Sequence, residues 1–152
     1  AVFSCGLYAS PGYLAERGEP AGPEDLGAHE ALRLLRGNGE VADWTLLNGE
    51  RRWQGVPPGR ATANSPELLI RLARAGTGIA AVPDYFAAPG VRQGQLRHVL
   101  PGWQLPAVTA WVVFPGRRLM PAKTRAFIDM LETAMADEPY NPHNSHTPVR
   151  RN

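Results

Sequence analysis

Residues 65–87 read "SPELLIRLARAGTGIAAVPDYFA" and decide the fold. Ser65 is an N-cap residue type, and Pro66 suits the first helical position, where the N–H has no partner in the helix. Leu68, Leu69, Leu72 and Ala73 recur at helical spacing, with Arg71 and Arg74 elsewhere. The spacing predicts an amphipathic helix over 65–75. Gly76 fits the left-handed position that closes a helix. The apolar run "GIAAVP", residues 78–83, follows as a buried strand. Helices alternating with strands in this way define an α/β fold.

The same signals recur on both sides. "AVFSCGLYAS" predicts a strand over 1–9, after which Ser10 and Pro11 open a short helix that stops at Gly18. Residues 23–29 predict a second short helix, and "ALRLL", 31–35, a strand. "WTLLNGERRWQGV", 44–56, predicts a hairpin around Asn48-Gly49, a pair that favours a type I′ turn. An extended piece, 57–65, leads into the opening helix. Residues 84–95 are helical or irregular, and "LRHVLPGW", 96–103, is a strand. "VTAWVVFP", 108–115, is the clearest strand signal in the chain. "MPAKTRAFIDMLETAM", 120–135, is the longest helix signal, with Phe127, Ile128, Leu131 and Met135 at helical spacing. The polar, proline-broken tail over 137–152 is expected to be disordered.

Composition narrows the function classes. The 152 residues are 43% hydrophobic and 20% charged, ordinary for a globular protein that needs no disulfide or metal staple. Net charge is +2, and the arginines are scattered, so the chain lacks the clustered basic face that duplex binding requires. One cysteine, Cys5, fits a reducing compartment. No apolar run approaches a membrane span of roughly 20 residues. The opening at Ala1 reads as the middle of a strand, so the chain is expected to be the C-terminal piece of something longer.

Few residues suggest chemistry. Residues 37–42, "GNGEVA", match the dinucleotide pattern, but a hairpin-like run follows instead of the helix whose N–H groups would meet a pyrophosphate. A plain turn is the expected structure. His143 and His146 lie in the tail with no further ligand nearby, which is weak metal evidence. Cys5 reads as an inert thiol inside a strand. There is no nucleophile elbow, and Asp25, Asp43, Asp84 and Asp129 form no obvious pair. No catalytic residue, metal or cofactor is expected. Ser10-Pro11 and Ser65-Pro66 are different. Each places a hydroxyl and free N–H groups beyond an extended segment, where anions are favoured. Each serine is either a plain cap or a ligand.

The order of segments resembles LysR-type transcriptional regulators over about residues 5–135. The resemblance is carried by "ASPGYL" at 9–14, "NSPELLIRLARAGTGIAAVP" at 64–83, "LPGW" at 100–103 and "PAKTRAFID" at 121–129. It implies a periplasmic-binding-protein-like effector domain of two Rossmann-like lobes. Residues 1–8 would be a crossover strand, 9–106 a complete second lobe, and 107–136 the strand and helix that return to the first lobe. The implied function is sensing of a small polar or anionic co-inducer that controls DNA binding by the complete protein, without enzymatic activity. Ser10, Asn64, Ser65, Pro66, Gly78 and Pro83 match effector contacts. Ser65 would take an acceptor group, Asn64 would orient the ligand, and Ser10 would approach from the neighbouring helix start. The implied partners are the effector and further copies of the chain, with helices 66–75 and 121–135 as contact surfaces. DNA would be bound only through an upstream winged helix-turn-helix, in the cytoplasm. The alternatives are a related two-lobed solute-binding protein, and a nucleotide-dependent enzyme using residues 37–42.

Overall fold

A computed structural model describes residues 2–111, 113 and 121–136. The chain opens as two strands, β1 (Val2–Phe3) and β2 (Cys5–Ala9). The expected single strand over 1–9 is interrupted at Ser4, whose carbonyl accepts the N–H of Asp84 at 2.9 Å just beyond the Cys5–Pro83 pair. Helix α1 (Pro11–Arg17) starts at Ser10, whose Oγ accepts the Tyr13 N–H at 3.1 Å. The predicted helix over 23–29 is a 3-10 turn, Pro23–Ala28, and leads into β3 (Ala31–Leu34).

The hairpin is β4 (Trp44–Asn48) with β5 (Arg51–Gly55), but its turn lies one residue later than expected. Asn48 pairs with Arg51, so the loop is Gly49-Glu50. Only Gly49 has positive φ, at 59°, the sign pattern of a type II′ turn instead of type I′. The "GNGEVA" run is a turn: Arg36 and Glu40 are bonded, Gly39 sits at φ 83°, and β4 follows with no helix between. The helix that a pyrophosphate needs is absent there.

Next come β6 (Thr62–Ala63), α2 (Pro66–Arg74), β7 (Ile79–Pro83), α3 (Asp84–Arg92) and β8 (Arg97–Val99). Helix α2 ends as the glycine predicts. Gly76, at φ 81°, donates to the Ala73 carbonyl at 3.0 Å, and Thr77 N–H reaches the Leu72 carbonyl at 3.3 Å, a Schellman closure. Its buried face is Leu69, Ile70 and Ala73, whereas Leu68, expected on that side, is 47% exposed. Of the expected strand over 108–115, residues 112, 114 and 115 lie outside the described residues. Among the described residues β9 (Val108–Thr109) pairs with β1, Val2 opposite Thr109 and Phe3 opposite Val108. The last helix is α4 (Ala122–Ala136). The expected disordered tail lies outside the described residues.

The central sheet has the order β6-β3-β7-β2-β8. Strands β6, β3 and β7 are parallel, and β8 shares their direction because both β7 and β8 are antiparallel to β2. Strand β2 alone runs the other way. One core, around Leu7, Tyr13, Leu26, Trp44, Leu46 and Trp103, lies between the sheet and α1 with the hairpin. A second, around Tyr8, Leu32, Leu69, Ala73, Val82 and Ala87, lies under α2 and α3. Strands β1 and β9 form a separate two-stranded sheet. Ser4, between β1 and β2, is where the chain passes from one sheet to the other.

Candidate functional site

The direction of β2 decides which predicted site residues meet. In open α/β sheets, ligands sit outside the carboxyl ends of the strands. For β6, β3 and β7 that edge holds Asn64, Ser65, Pro66 and Pro83. Asn64 is exposed at the bend after β6. Ser65 caps α2, its Oγ accepting the Leu68 N–H at 3.4 Å, and Pro66 is the first helical residue. Pro83 closes β7 opposite Cys5. A pocket of about 260 Å³ opens beside Ser65, Glu67, Leu68 and Arg71.

Ser10 and Gly78 are not at this edge. Ser10 follows β2, and the carboxyl end of an antiparallel strand lies at the opposite edge. There it packs beside Gly76, at the far end of α2 from Ser65. The expected approach of Ser10 to Ser65 is therefore corrected: the whole of α2 separates them. Ser10 borders a different, open cleft of about 810 Å³ with Arg74, Gly76 and Gln95. Gly78 has a packing reason of its own, since a Cβ there would collide with the Glu30 carbonyl oxygen.

Sequence reasoning missed a polar cluster where the chain changes sheets. Asp84, 2% exposed, begins α3 immediately after Pro83. Its carboxylate accepts the Ser4 hydroxyl at 2.5 Å and the Tyr8 hydroxyl at 2.7 Å, while its N–H donates to the Ser4 carbonyl. Tyr8 stacks on His98 with ring centroids 5.1 Å apart. A Cβ on Gly6 would stand 2.9 Å from both the Asp84 carboxylate and the His98 ring, so glycine is required for the cluster to close. Burial and the Asp84 charge push the neighbouring Cys5 thiol up to about 11. Cys5 is thus a protonated, unreactive thiol at neutral pH. The sequence signal was an acid directly after a buried strand, where a charge is tolerated only with partners.

Arg33 was also missed. It interrupts the apolar run of β3 and lies opposite Thr62, with Nη2 3.4 Å from the Thr62 hydroxyl. This places a guanidinium beside Thr62, two residues before Asn64 in the chain. The described arrangement offers binding groups but no nucleophile activated by a base. Among the described residues no group of three or more His, Cys, Asp or Glu is placed to hold a metal ion.

Comparisons with known proteins bear on the fold and the family. Residues 3–136 match the LysR substrate binding domain family. An HTH-type transcriptional regulator of Xanthomonas campestris is 36% identical over 133 residues, covering 85% of this chain and 38% of the relative. The HTH-type transcriptional regulator PtxR of Pseudomonas aeruginosa is 33% identical over 132 residues, covering 87% of this chain and 42% of the relative. Among solved structures, the full-length Vibrio cholerae virulence activator AphB superposes with TM-score 0.75 at 25% identity, over 88% of this chain and 46% of that one. The regulatory domain of CrgA from Neisseria meningitidis gives 0.71 at 25% identity, over 88% of this chain and 65% of that one. The fold is that of LysR-type regulatory domains, and the chain belongs to the LysR substrate-binding-domain family. It spans about two-fifths of the length of the curated relatives it matches.

Proposed function

We propose that this chain is the sensing portion of a LysR-type regulator, in which a small polar or anionic effector binds at the edge formed by Asn64, Ser65, Pro66 and Pro83. The carrying observation is the double passage between sheets. The chain leaves the small sheet at Ser4, builds the five-stranded sheet, and returns so that β9 pairs with β1. Two strands side by side between two bodies form a hinge, and a hinge next to a strand-edge site couples occupancy to geometry. In this reading residues 9–106 are the second lobe, and 107–136 belong with the first.

The complete protein binds DNA through a separate helix-turn-helix, works in the cytoplasm as a homo-oligomer and catalyses no reaction. Among the described residues no helix is long and apolar enough to cross a membrane. Exposed Leu68 on α2 and Phe127 and Met130 on α4 supply apolar surface for self-association. The test is operator binding by the complete gene product, measured with and without candidate metabolites. Asn64→Ala and Ser65→Ala are expected to raise the effector concentration needed for the response while leaving effector-free DNA binding unchanged. An unchanged effector requirement in both variants overturns the site assignment.

A further inference from the structure

Of the described arginines, only Arg33 is not exposed. Its neighbours in β3 explain why. Ala31 enters one core and Leu32 the other, so the strand is buried on both faces where the arginine follows. Its Nε is buried with no hydrogen-bond acceptor, and Nη2 has only the long contact to Thr62. Among the described residues no carboxylate lies within ion-pair distance of it. Four exposed arginines do have such partners: Arg36 with Asp43, Arg60 with Glu30, Arg71 with Glu67 and Arg97 with Glu19. The arrangement is inverted from the usual one, in which the more buried charge is the paired one.

A guanidinium stays charged at every accessible pH and presents a planar fork of donors. A buried donor without an acceptor opposes folding, and departures of this kind concentrate at functional sites. We propose that Arg33 is the anion anchor of the effector site and that the effector carries a carboxylate. This rests on the effector-domain reading above and adds the ligand's charge to it. A carboxylate matches the guanidinium fork with two parallel bonds. The Thr62 hydroxyl, and Asn64 two residues beyond it, offer further donors beside the same strand end.

The experiment is thermal melting of the complete gene product with benzoate, succinate and citrate, each compared with its uncharged amide. The variants are Arg33→Met, which keeps the aliphatic stem, and Arg60→Met as an exposed control. At least one acid is expected to raise the wild-type midpoint saturably while its amide does not. Arg33→Met is expected to raise the half-saturating concentration about 10-fold to 100-fold, as loss of a charge-assisted bond implies. Arg60→Met keeps the wild-type response. Without ligand, Arg33→Met melts at or above wild type, because an unmatched buried donor is gone. A purely structural arginine would instead lower the midpoint. An intact acid response in Arg33→Met, amides as effective as acids, or no response to any acid overturns the inference. If the amides act and Asn64→Ala weakens them, the effector site stands and only its charge assignment falls.

Discussion

At the scale of single residues, the Asp84 cluster concentrates the most consequence in the fewest atoms. Tyr8→Phe removes a donor 2.7 Å from a buried carboxylate, and such a loss costs about 1–3 kcal/mol. Gly6→Ala pushes a methyl against Asp84 and His98 at 2.9 Å, an overpacking that costs about 1–3 kcal/mol. Urea unfolding is expected to show both losses, and a midpoint unchanged in both variants would contradict the cluster.

His29 gives a pH signature at the same scale. Its pKa is lowered from 6.5, first by burial and then by Arg17, with Asp25 opposing. The geometry agrees. Tyr13 Oη accepts the Glu30 N–H at 2.9 Å and lies 3.1 Å from His29 Nδ1, where a hydroxyl that donates to the ring favours its neutral form. The unfolded ring therefore binds a proton more readily than the folded one. The neutral ring's contribution is complete above pH 6.5 and is lost as pH falls from there through the lower folded value. In denaturant titrations across that window, His29→Gln is expected to flatten the slope of stability against pH by up to about 1.4 kcal/mol per pH unit.

At the scale of elements, α2 is the most legible part of the chain, and its cap is also a residue of the proposed effector site. Its Ser65 cap, its proline start and its Gly76 closure all follow from residue chemistry that acts within a few positions. Ser65→Ala is expected to cost about 0.5–2 kcal/mol through the lost cap. Ser65→Asp keeps a capping oxygen but adds a negative charge. Melting the two variants should therefore give near-wild-type stability for the aspartate. Binding of an anionic effector should be weakened in both. The misplaced details have equally local causes. Asn48-Gly49 looked like a turn centre, yet Asn48 is the last paired strand residue and Gly49 alone takes positive φ. Leu68 looked like core, but the face that meets the sheet centres on Leu69, Ile70 and Ala73.

At the scale of the whole molecule, sequence reading loses strand direction. Both Ser-Pro helix starts look alike in sequence, and nothing local says that β2 opposes its neighbours. That single reversal separates Ser10 from Ser65; Gly78 stands at the amino end of β7, and the other four expected contacts share one edge. Arg33 and Asp84 were hidden for the same reason, since their partners, Thr62 and Ser4, are distant in sequence. The large-scale organisation also predicts where water reaches. Trp111 is 81% exposed and Val113 is 90% exposed, whereas Trp44 and Trp103 are buried in the main core. In the isolated chain, acrylamide is expected to quench a red-shifted, Trp111-dependent component of the fluorescence, and Trp111→Phe to remove that component. Uniformly protected emission would mean that this segment is covered in solution.

The inert thiol at Cys5 turns into a practical advantage. It is the chain's one cysteine, and burial with the Asp84 charge raises its thiol to about 11, which keeps it protonated at pH 7. Maleimide dyes are therefore expected to react with it slowly. A second cysteine placed on an exposed position such as Gln95 can be labelled alone, without first mutating the native one. Two such cysteines, one placed in each sheet, can then carry a fluorescence pair that reports motion about Ser4 with the native cysteine left in place.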